Sequence, residues 1–338
     1  MKALLPLFAM VLLLARPARS EQFPGAEWQR VDPAAAGWSS AKLDEAREIA
    51  ETMGATGVMV VHKGFVVAEW GDLVVKTYLH SVRKSLLSAL IGIAVEEKKI
   101  DLADTMAKLG IDDNVPSLTE VEKQATVGDL LKARSGIYHP ALAESPEMAA
   151  ARPLRGSHAP GTFWYYNNWD FNALGTIYER AETRSIFDAF DERIAKPIGM
   201  QDWHPGDGVY DTGVDSNHRA YPIRMSARDL ARFALLYARE GRWSDRQLVP
   251  ASWVRESAHD YSSVGPEFGY GYMWWTGPSL MPPGSLFAWG WGGQFAFVVP
   301  AQDLVIVHRI NTDKEGIREP DLAQLGRFLR AILAAAPS

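Results

Sequence analysis

Strand-forming segments lie near both ends of this 338-residue chain, and the sequence between them is mostly helical. Two β-rich runs at 57–71 flank Lys63-Gly64, a pair typical of a hairpin turn. Near the carboxyl end, strands are predicted at 268–275, 286–289, 294–299 and 303–310. Strands that cluster at the two ends favour one antiparallel sheet over alternating β-α units. We therefore predict an α+β fold in which the sheet is built from both chain ends.

Several helices are also predicted from the sequence pattern. A surface helix is predicted at 38–51, capped by Ser39 or Ser40, and others begin at Ser226 and Pro250. A final helix is predicted at 321–334. We expect one unit over 21–338, in which 21–80 and about 240–338 form the sheet-containing part. Residues from about 81 to 240 form a mostly helical inserted region.

The first twenty residues have a basic start, a short apolar run and Ala18-Arg19-Ser20 before Glu21. This pattern is typical of a secretory signal, and the run is too short for an ordinary membrane span. An uncleaved anchor is the alternative. We predict an exported protein, periplasmic or secreted, that has no stable membrane insertion once the leader is removed.

The amino-acid composition excludes several kinds of functional site. The chain has no cysteine, which excludes disulfides, a thiolate nucleophile and a cysteine-type zinc site. The formal net charge is −6 and no Lys/Arg cluster occurs, so nucleic acid is not an expected partner. The eight histidines have no metal-like spacing, and we predict no metal and no cofactor.

Ser81 and Lys84 stand three residues apart at the start of an apolar segment, His80 to Val95. Positions i and i+3 share a helix face, and a first-turn hydroxyl lies near free backbone N–H groups. Apolar burial lowers the pKa of a lysine, which then can take the serine proton. Arg83 is expected to point elsewhere. The alternative is a cap followed by a surface lysine, and spacing alone does not decide between the two.

The same spacing recurs at Ser39 and Lys42. The helix that follows is charged on most faces, so Lys42 should stay solvated and protonated, and Ser39 is better interpreted as a helix cap. No G-x-S-x-G or H-E-x-x-H motif competes with Ser81.

Two further segments are candidates for the same site. Tyr166-x-Asn168 follows a Pro-Gly turn; the phenol could relay a proton, and the Asn168 carbonyl could hold the lysine amine. The glycine-rich segment 287–295, FAWGWGGQF, could bring a backbone N–H to the Ser81 oxygen. Taken alone, the first also fits an aromatic core loop, and the second a β-bulge or hairpin turn.

In this order, these motifs resemble the serine β-lactamase and penicillin-binding-protein superfamily over roughly residues 35–335. The resemblance is closest to the class C-like branch, which includes family VIII esterases and 6-aminohexanoate-dimer hydrolases. The segments that carry it are SVRKSLLSALIGIAVEEKKIDL, DLLKARSGI, PGTFWYYNNWDFNALG, SARDLARFALLYAREGRW and GWGGQFAFVVPAQDLVIV. It implies a β-lactamase/transpeptidase-like fold and a single catalytic unit.

The resemblance also implies roles for individual residues. Ser81 would be the acylated nucleophile, Lys84 its base and Tyr166 a proton donor to the leaving group, with Asn168 as a supporting polar contact. The backbone N–H groups of Ser81 and Trp291 would form the oxyanion hole. The family's third motif falls at Ala288-Trp289-Gly290, with a register shift of one or two residues left open. No Lys or His occupies it, which disfavours β-lactam or peptidoglycan substrates.

Further residues are candidates for contact with substrate: Tyr138, His139, Trp169, Trp289 and Gly290. Six tryptophans, at 164, 169, 274, 275, 289 and 291, could line an acyl pocket, of which we expect two or three to do so.

We predict a serine hydrolase that cleaves a small-molecule carboxylic ester or amide through an acyl-enzyme. The rivals are a β-lactamase or D-alanyl-D-alanine carboxypeptidase, and an inactive relative that binds cell-wall fragments or a partner. Natural substrate and oligomeric state are left open.

Overall fold

The first and last strands of the chain pair directly in the computed structural model, which describes residues 21–277 and 280–337. Gly57 lies opposite Arg309, and the antiparallel register continues to His62 opposite Leu304. The strands are β1 (Gly57–His62), β2 (Phe65–Gly71), β3 (Thr77–Tyr78), β4 (Arg224–Met225), β5 (Arg242–Trp243), β6 (Arg246–Gln247), β7 (Ser262–Val264), β8 (Phe268–Tyr270), β9 (Trp275–Thr276), β10 (Leu286–Gly290), β11 (Gln294–Val299) and β12 (Leu304–Arg309).

Eight of these strands form one antiparallel sheet in the order β2-β1-β12-β11-β10-β9-β8-β7. The pairs β3-β4 and β5-β6 form two small separate sheets. The α-helices are α1 (Ser40–Thr52), α2 (Arg83–Glu96), α3 (Met106–Leu109), α4 (Val127–Leu131), α5 (Pro146–Ala151), α6 (Asn168–Glu182), α7 (Ile186–Phe190), α8 (Ala227–Ala238), α9 (Ala251–Ser257) and α10 (Leu322–Ala335). The predicted α+β fold, with its sheet built from both chain ends and flanked by helices, is confirmed.

The β1-β2 hairpin has the predicted two-residue turn. Lys63 and Gly64 both have positive φ, at 54° and 83°, which a type I′ turn requires. The single strand predicted at 268–275 is wrong, because Met273 takes a φ of 56° and the chain turns between β8 and β9. There the backbone bonds to other segments: the Met273 N–H donates to the Leu131 carbonyl oxygen over 3.1 Å.

Side chains that alternate along the strands divide the core into two layers. On one face of the sheet, residues such as Val60, Phe297 and Ile306 pack in a cluster with residues of α1 and α10. On the opposite face, Val61, Ala288 and neighbours pack with α2 and α8. The active-site candidates of α2 therefore lie on this second face.

Helix α2 is buried on every side from Arg83 to Ala94, as expected of a helix with no polar stripe. Two of its serines donate to carbonyl oxygens of the β8-β9 turn: Ser85 to Met273 over 3.0 Å, and Ser88 to Tyr272 over 2.7 Å. These bonds satisfy buried hydroxyls and fix α2 against the sheet.

In the part of the chain that the structure describes, no helix has the length and apolar character to cross a bilayer. The predicted leader, residues 1–20, lies outside the described residues.

Candidate active site

Ser81 lies in a short 3₁₀ turn, His80–Val82, that leads directly into α2. Lys84 is in the first turn of α2, and its Nζ lies 2.7 Å from the Ser81 Oγ. The lysine side chain is among the largest fully buried ones, with 1% of its surface exposed. Sequence spacing thus corresponds to a direct hydrogen bond between a hydroxyl and a buried amine.

Burial shifts the pKa of Lys84 well below its usual range, and the nearby charge of Arg83 lowers this pKa further. The amine lies 4.7 Å from the ring centre of Tyr166 and 5.0 Å from that of Phe171. An amine in this apolar setting favours its neutral form, which can accept the proton of Ser81.

Ser39 and Lys42 differ from this pair in every respect that matters for catalysis. The Ser39 hydroxyl accepts from the Lys42 backbone N–H at the start of α1, as a helix cap does. The Lys42 amine is exposed and pairs with Glu45 over 2.6 Å. The interpretation of Ser39 as a cap is confirmed.

Tyr166 lies just before α6, and its ring stacks on Trp275 with 5.7 Å between ring centres. Burial raises the pKa of Tyr166 to about 12, although the nearby Ser81 hydroxyl lowers it in part. The phenol therefore keeps its proton at neutral pH while it lies beside the serine and the lysine amine. Such a group can donate a proton to a leaving group.

Asn168 does not reach the lysine amine. It is the first residue of α6, and its Nδ2 donates to the Ala143 carbonyl oxygen over 2.5 Å. Its Oδ1 is buried and has no hydrogen-bond partner among the described residues. The expected contact with Lys84 is wrong because the amide faces the 143 loop instead.

The glycine-rich segment reaches the Ser81 turn at Gly290, the last residue of β10. A β-carbon placed at Gly290 would lie 3.1 Å from the Ser81 backbone nitrogen and 2.3 Å from the Leu79 carbonyl oxygen. Only glycine allows this approach. The turn that follows, Trp291–Gly293, begins at this point, and its first N–H is the one predicted for the oxyanion hole.

Two buried side chains connect this turn to the chain that precedes Ser81. Gln294 donates to the carbonyl oxygens of Gly292 and Ile310, over 3.1 and 2.8 Å, and accepts from the Arg309 Nε over 2.7 Å. The remaining Arg309 donors bond to Thr77, Tyr78 and Met225. The Gln294–Arg309 pair thus ties the glycine-rich turn to the strand ahead of the nucleophile.

Three substrate-binding candidates lie instead in buried networks. His139, 2% exposed, has both ring nitrogens within 3.1 Å of carbonyl oxygens, those of Pro140 and Asn114. Trp169 is fully buried and its Nε1 donates to Asp113 over 2.7 Å. The Tyr138 ring is also buried, with its hydroxyl 3.0 Å from the His158 Nδ1. The prediction of substrate contact is wrong for His139 and Trp169, and the ring of Tyr138 offers little free surface.

The other tryptophans that were candidates for an acyl pocket differ in their burial and in the face of the sheet on which they lie. Trp289 is wrong as a pocket residue, because it packs on the α1/α10 face of the sheet, opposite to Ala288. Trp274 is buried in the core and packs on Phe233 and Tyr237. Trp164 and Trp275 are half-buried beside Tyr166, and Trp291 is 52% exposed and forms a T-shaped contact with His80.

The site contains one charged residue that the sequence did not assign to it. Arg83 is buried at the start of α2, with its Nη1 2.9 Å from the His80 carbonyl oxygen, and its charge also lowers the pKa of His80 and Tyr166. The available sequence signal was the lack of a polar face in the helix that follows, which leaves an arginine in its first turn no route to solvent.

A family model described as beta-lactamase matches residues 46–328. A solved structure of a family VIII carboxylesterase superposes with a TM-score of 0.64 and 15% identity, covering 88% of this chain and 99% of the other. A class C beta-lactamase superposes with a TM-score of 0.65 and 16% identity, covering 88% of this chain and 96% of the other. A Bacillus anthracis protein assigned as a 6-aminohexanoate-dimer hydrolase superposes with a TM-score of 0.65 and 19% identity, covering 85% of this chain and 80% of the other.

Proposed function

The chain belongs to the beta-lactamase family, and from that premise we propose that it is a serine hydrolase that cleaves carboxylic esters or amides through an acyl-enzyme on Ser81. The observation that carries the proposal is the 2.7 Å contact between the Ser81 Oγ and the amine of a fully buried lysine. A buried neutral amine is the base that a serine hydroxyl needs to become a nucleophile.

The first half-reaction forms the acyl-enzyme. Lys84 takes the Ser81 proton as Oγ bonds to the substrate carbonyl carbon, and the negative oxygen is held by the backbone N–H groups of Ser81 and Trp291. Tyr166 donates its proton to the departing alcohol or amine and regains one from Lys84. Water then attacks the acyl carbon as Lys84 takes a proton from it, and Lys84 returns this proton to the Ser81 oxygen as the bond between Oγ and the acyl carbon breaks and the acid is released.

The residues around Ser81 support neutral acyl groups as substrates. Ala288, 1% exposed and on the Ser81 face of the sheet, begins the segment to which the resemblance assigns the third motif, and it offers no charge to a substrate carboxylate. The half-buried rings of Trp164 and Trp275 beside Tyr166 supply apolar surface. We infer a preference for esters and amides with apolar acyl groups over β-lactams.

A fluorophosphonate probe and a substrate panel test the proposal. We expect the probe to label the wild type and the Ser39→Ala variant but not Ser81→Ala, with p-nitrophenyl esters hydrolysed in the same pattern. Rapid nitrocefin turnover with little ester hydrolysis would instead identify a β-lactamase. An unlabelled wild type, inactive on the whole panel, would favour a binding protein without catalysis.

The predicted leader at 1–20 supports export of this activity. Expression in a bacterial host with fractionation should place the mature chain, beginning at Glu21, outside the cytoplasm. A full-length chain that stays with the membrane would support the uncleaved anchor.

A further inference from the structure

Arg83 is a buried cation that has no counter-ion among the described residues. Only 5% of its surface is exposed, and its Nη1 donates to the His80 carbonyl oxygen over 2.9 Å. Its Nε and Nη2 are buried and have no hydrogen-bond partner in the described ranges, where no carboxylate pairs with it either. The guanidinium carbon lies 5.1 Å from the ring centre of Tyr221. Burial of an unpaired charge is costly, so its retention calls for a reason.

Arg83 is a fixed charge that directly precedes Lys84 in the first turn of α2, where both side chains are buried. Burial lowers the pKa of His80 to about 4 and raises the pKa values of four other titratable neighbours, and so disfavours the charged form of each: Tyr166, Asp170, Tyr221 and Tyr270. Arginine, in contrast, keeps its positive charge in proteins. Besides burial itself, the charge of Arg83 is the influence that moves the pKa of Lys84.

We propose that Arg83 is a positioning residue that acts through Lys84, its unpaired charge keeping the amine in the neutral form that accepts the proton of Ser81. This inference rests on the proposed role of Lys84 as the base. Arg83 contacts no reacting atom. It disfavours a second positive charge on its neighbour in a setting where solvent screening is weak.

The pH dependence of kcat/KM tests this inference. On the acidic side, kcat/KM rises as the free enzyme's base loses its proton. In Arg83→Met or Arg83→Gln the charge is lost, and the Lys84 amine should keep its proton to higher pH. The rise in kcat/KM should therefore move to higher pH, by about one pH unit. The plateau reached at higher pH should stay within a few-fold of the wild type. Arg83→Lys retains the charge and should keep the wild-type profile.

Arg255→Met, at an exposed arginine of α9, is the matched control and should leave the profile unchanged. A lower plateau with no movement of the rise would show that Arg83 acts only through packing and would overturn the inference. The inference would also be overturned if neither Arg83→Met nor Arg83→Gln folds. An inactive wild type, or an active Ser81→Ala variant, would instead refute the proposed function.

Discussion

Gly290 and the Ser81 backbone nitrogen lie so close that a β-carbon at position 290 would be 3.1 Å from that nitrogen. The same β-carbon would lie 2.3 Å from the Leu79 carbonyl oxygen, a backbone atom that cannot move aside alone. In Gly290→Ala the turn that contains Ser81 and the end of β10 must separate, which should misplace the N–H groups that we propose for the oxyanion hole.

We expect kcat/KM of Gly290→Ala to fall by about 10²-fold or more, the scale seen when an oxyanion-hole donor is lost. Steady-state ester hydrolysis measures this. Gly25→Ala, where an added β-carbon meets nothing within 4 Å, is the control and should keep wild-type activity. Normal activity in Gly290→Ala would place the oxyanion hole elsewhere.

Tyr166→Phe should reduce activity in a way that depends on the leaving group. The phenol, whose pKa is raised to about 12, holds a proton that an alkoxide or amine needs on departure and a p-nitrophenolate does not. We expect losses of about 10²- to 10⁴-fold for alkyl esters and amides, and clearly smaller ones for p-nitrophenyl esters. Equal losses for all leaving groups would contradict the role of proton donor. Tyr165→Phe, next to it in sequence, is the control.

Gln294→Met should affect both folding and catalysis. The substitution leaves the Arg309 Nε and the Gly292 carbonyl oxygen without their buried partner, which typically costs about 1–3 kcal/mol. We expect a lower melting temperature together with a lower kcat, because the glycine-rich turn loses its tie to the strand before Ser81. Gln302→Met, at an exposed glutamine, should change neither quantity. A loss of stability with full activity would show that the pair does not position the turn.

His308 makes stability sensitive to acid. It is fully buried in β12, its Nδ1 lies 2.8 Å from the Gly293 carbonyl oxygen, and burial lowers its pKa to about 4. Between about pH 6.5 and pH 4 the unfolded chain therefore binds more protons at this position than the folded chain, and stability falls as pH falls. The contribution is about 1.4 kcal/mol per pH unit in this window and is fully present above it.

Denaturant titrations at several pH values measure this slope. His308→Gln should be less stable at neutral pH and should show a shallower decline on acidification. His259→Gln, at an exposed histidine, should keep the wild-type slope. An unchanged slope in His308→Gln would mean that other groups cause the acid sensitivity.

The sequence predicted the fold where its signals were local. The strand runs at 57–71, 286–289, 294–299 and 303–310, the Lys63-Gly64 turn and the Ser39 cap each depend on residues within a few positions, and each was found close to where it was expected. The strand predicted at 268–275 failed because its turn is held by distant partners such as the Leu131 carbonyl oxygen.

The burial and contacts of individual side chains were harder to predict from the sequence. The burial of His139 and Trp169 depends on Asp113, which is far away in sequence and carried no signal of its own. For Trp289 the pattern was available: if Ala288 faces the Ser81 side of the sheet, strand alternation places its neighbour on the opposite side. Arg83 was misjudged because a helix enclosed on all sides has no outward face to which a charge can turn.

The pairing of Gly57 with Arg309 sets the order in which this protein can become active as it is synthesised. Ser81 and Lys84 leave the ribosome well before the turn after β10 and the strand β12 that holds it. The pairing of β1 with β12 must also wait until β12 has been made. A chain stalled before β10 would therefore carry Ser81 without the Trp291 N–H proposed for the oxyanion hole, and we expect such a chain to be inactive.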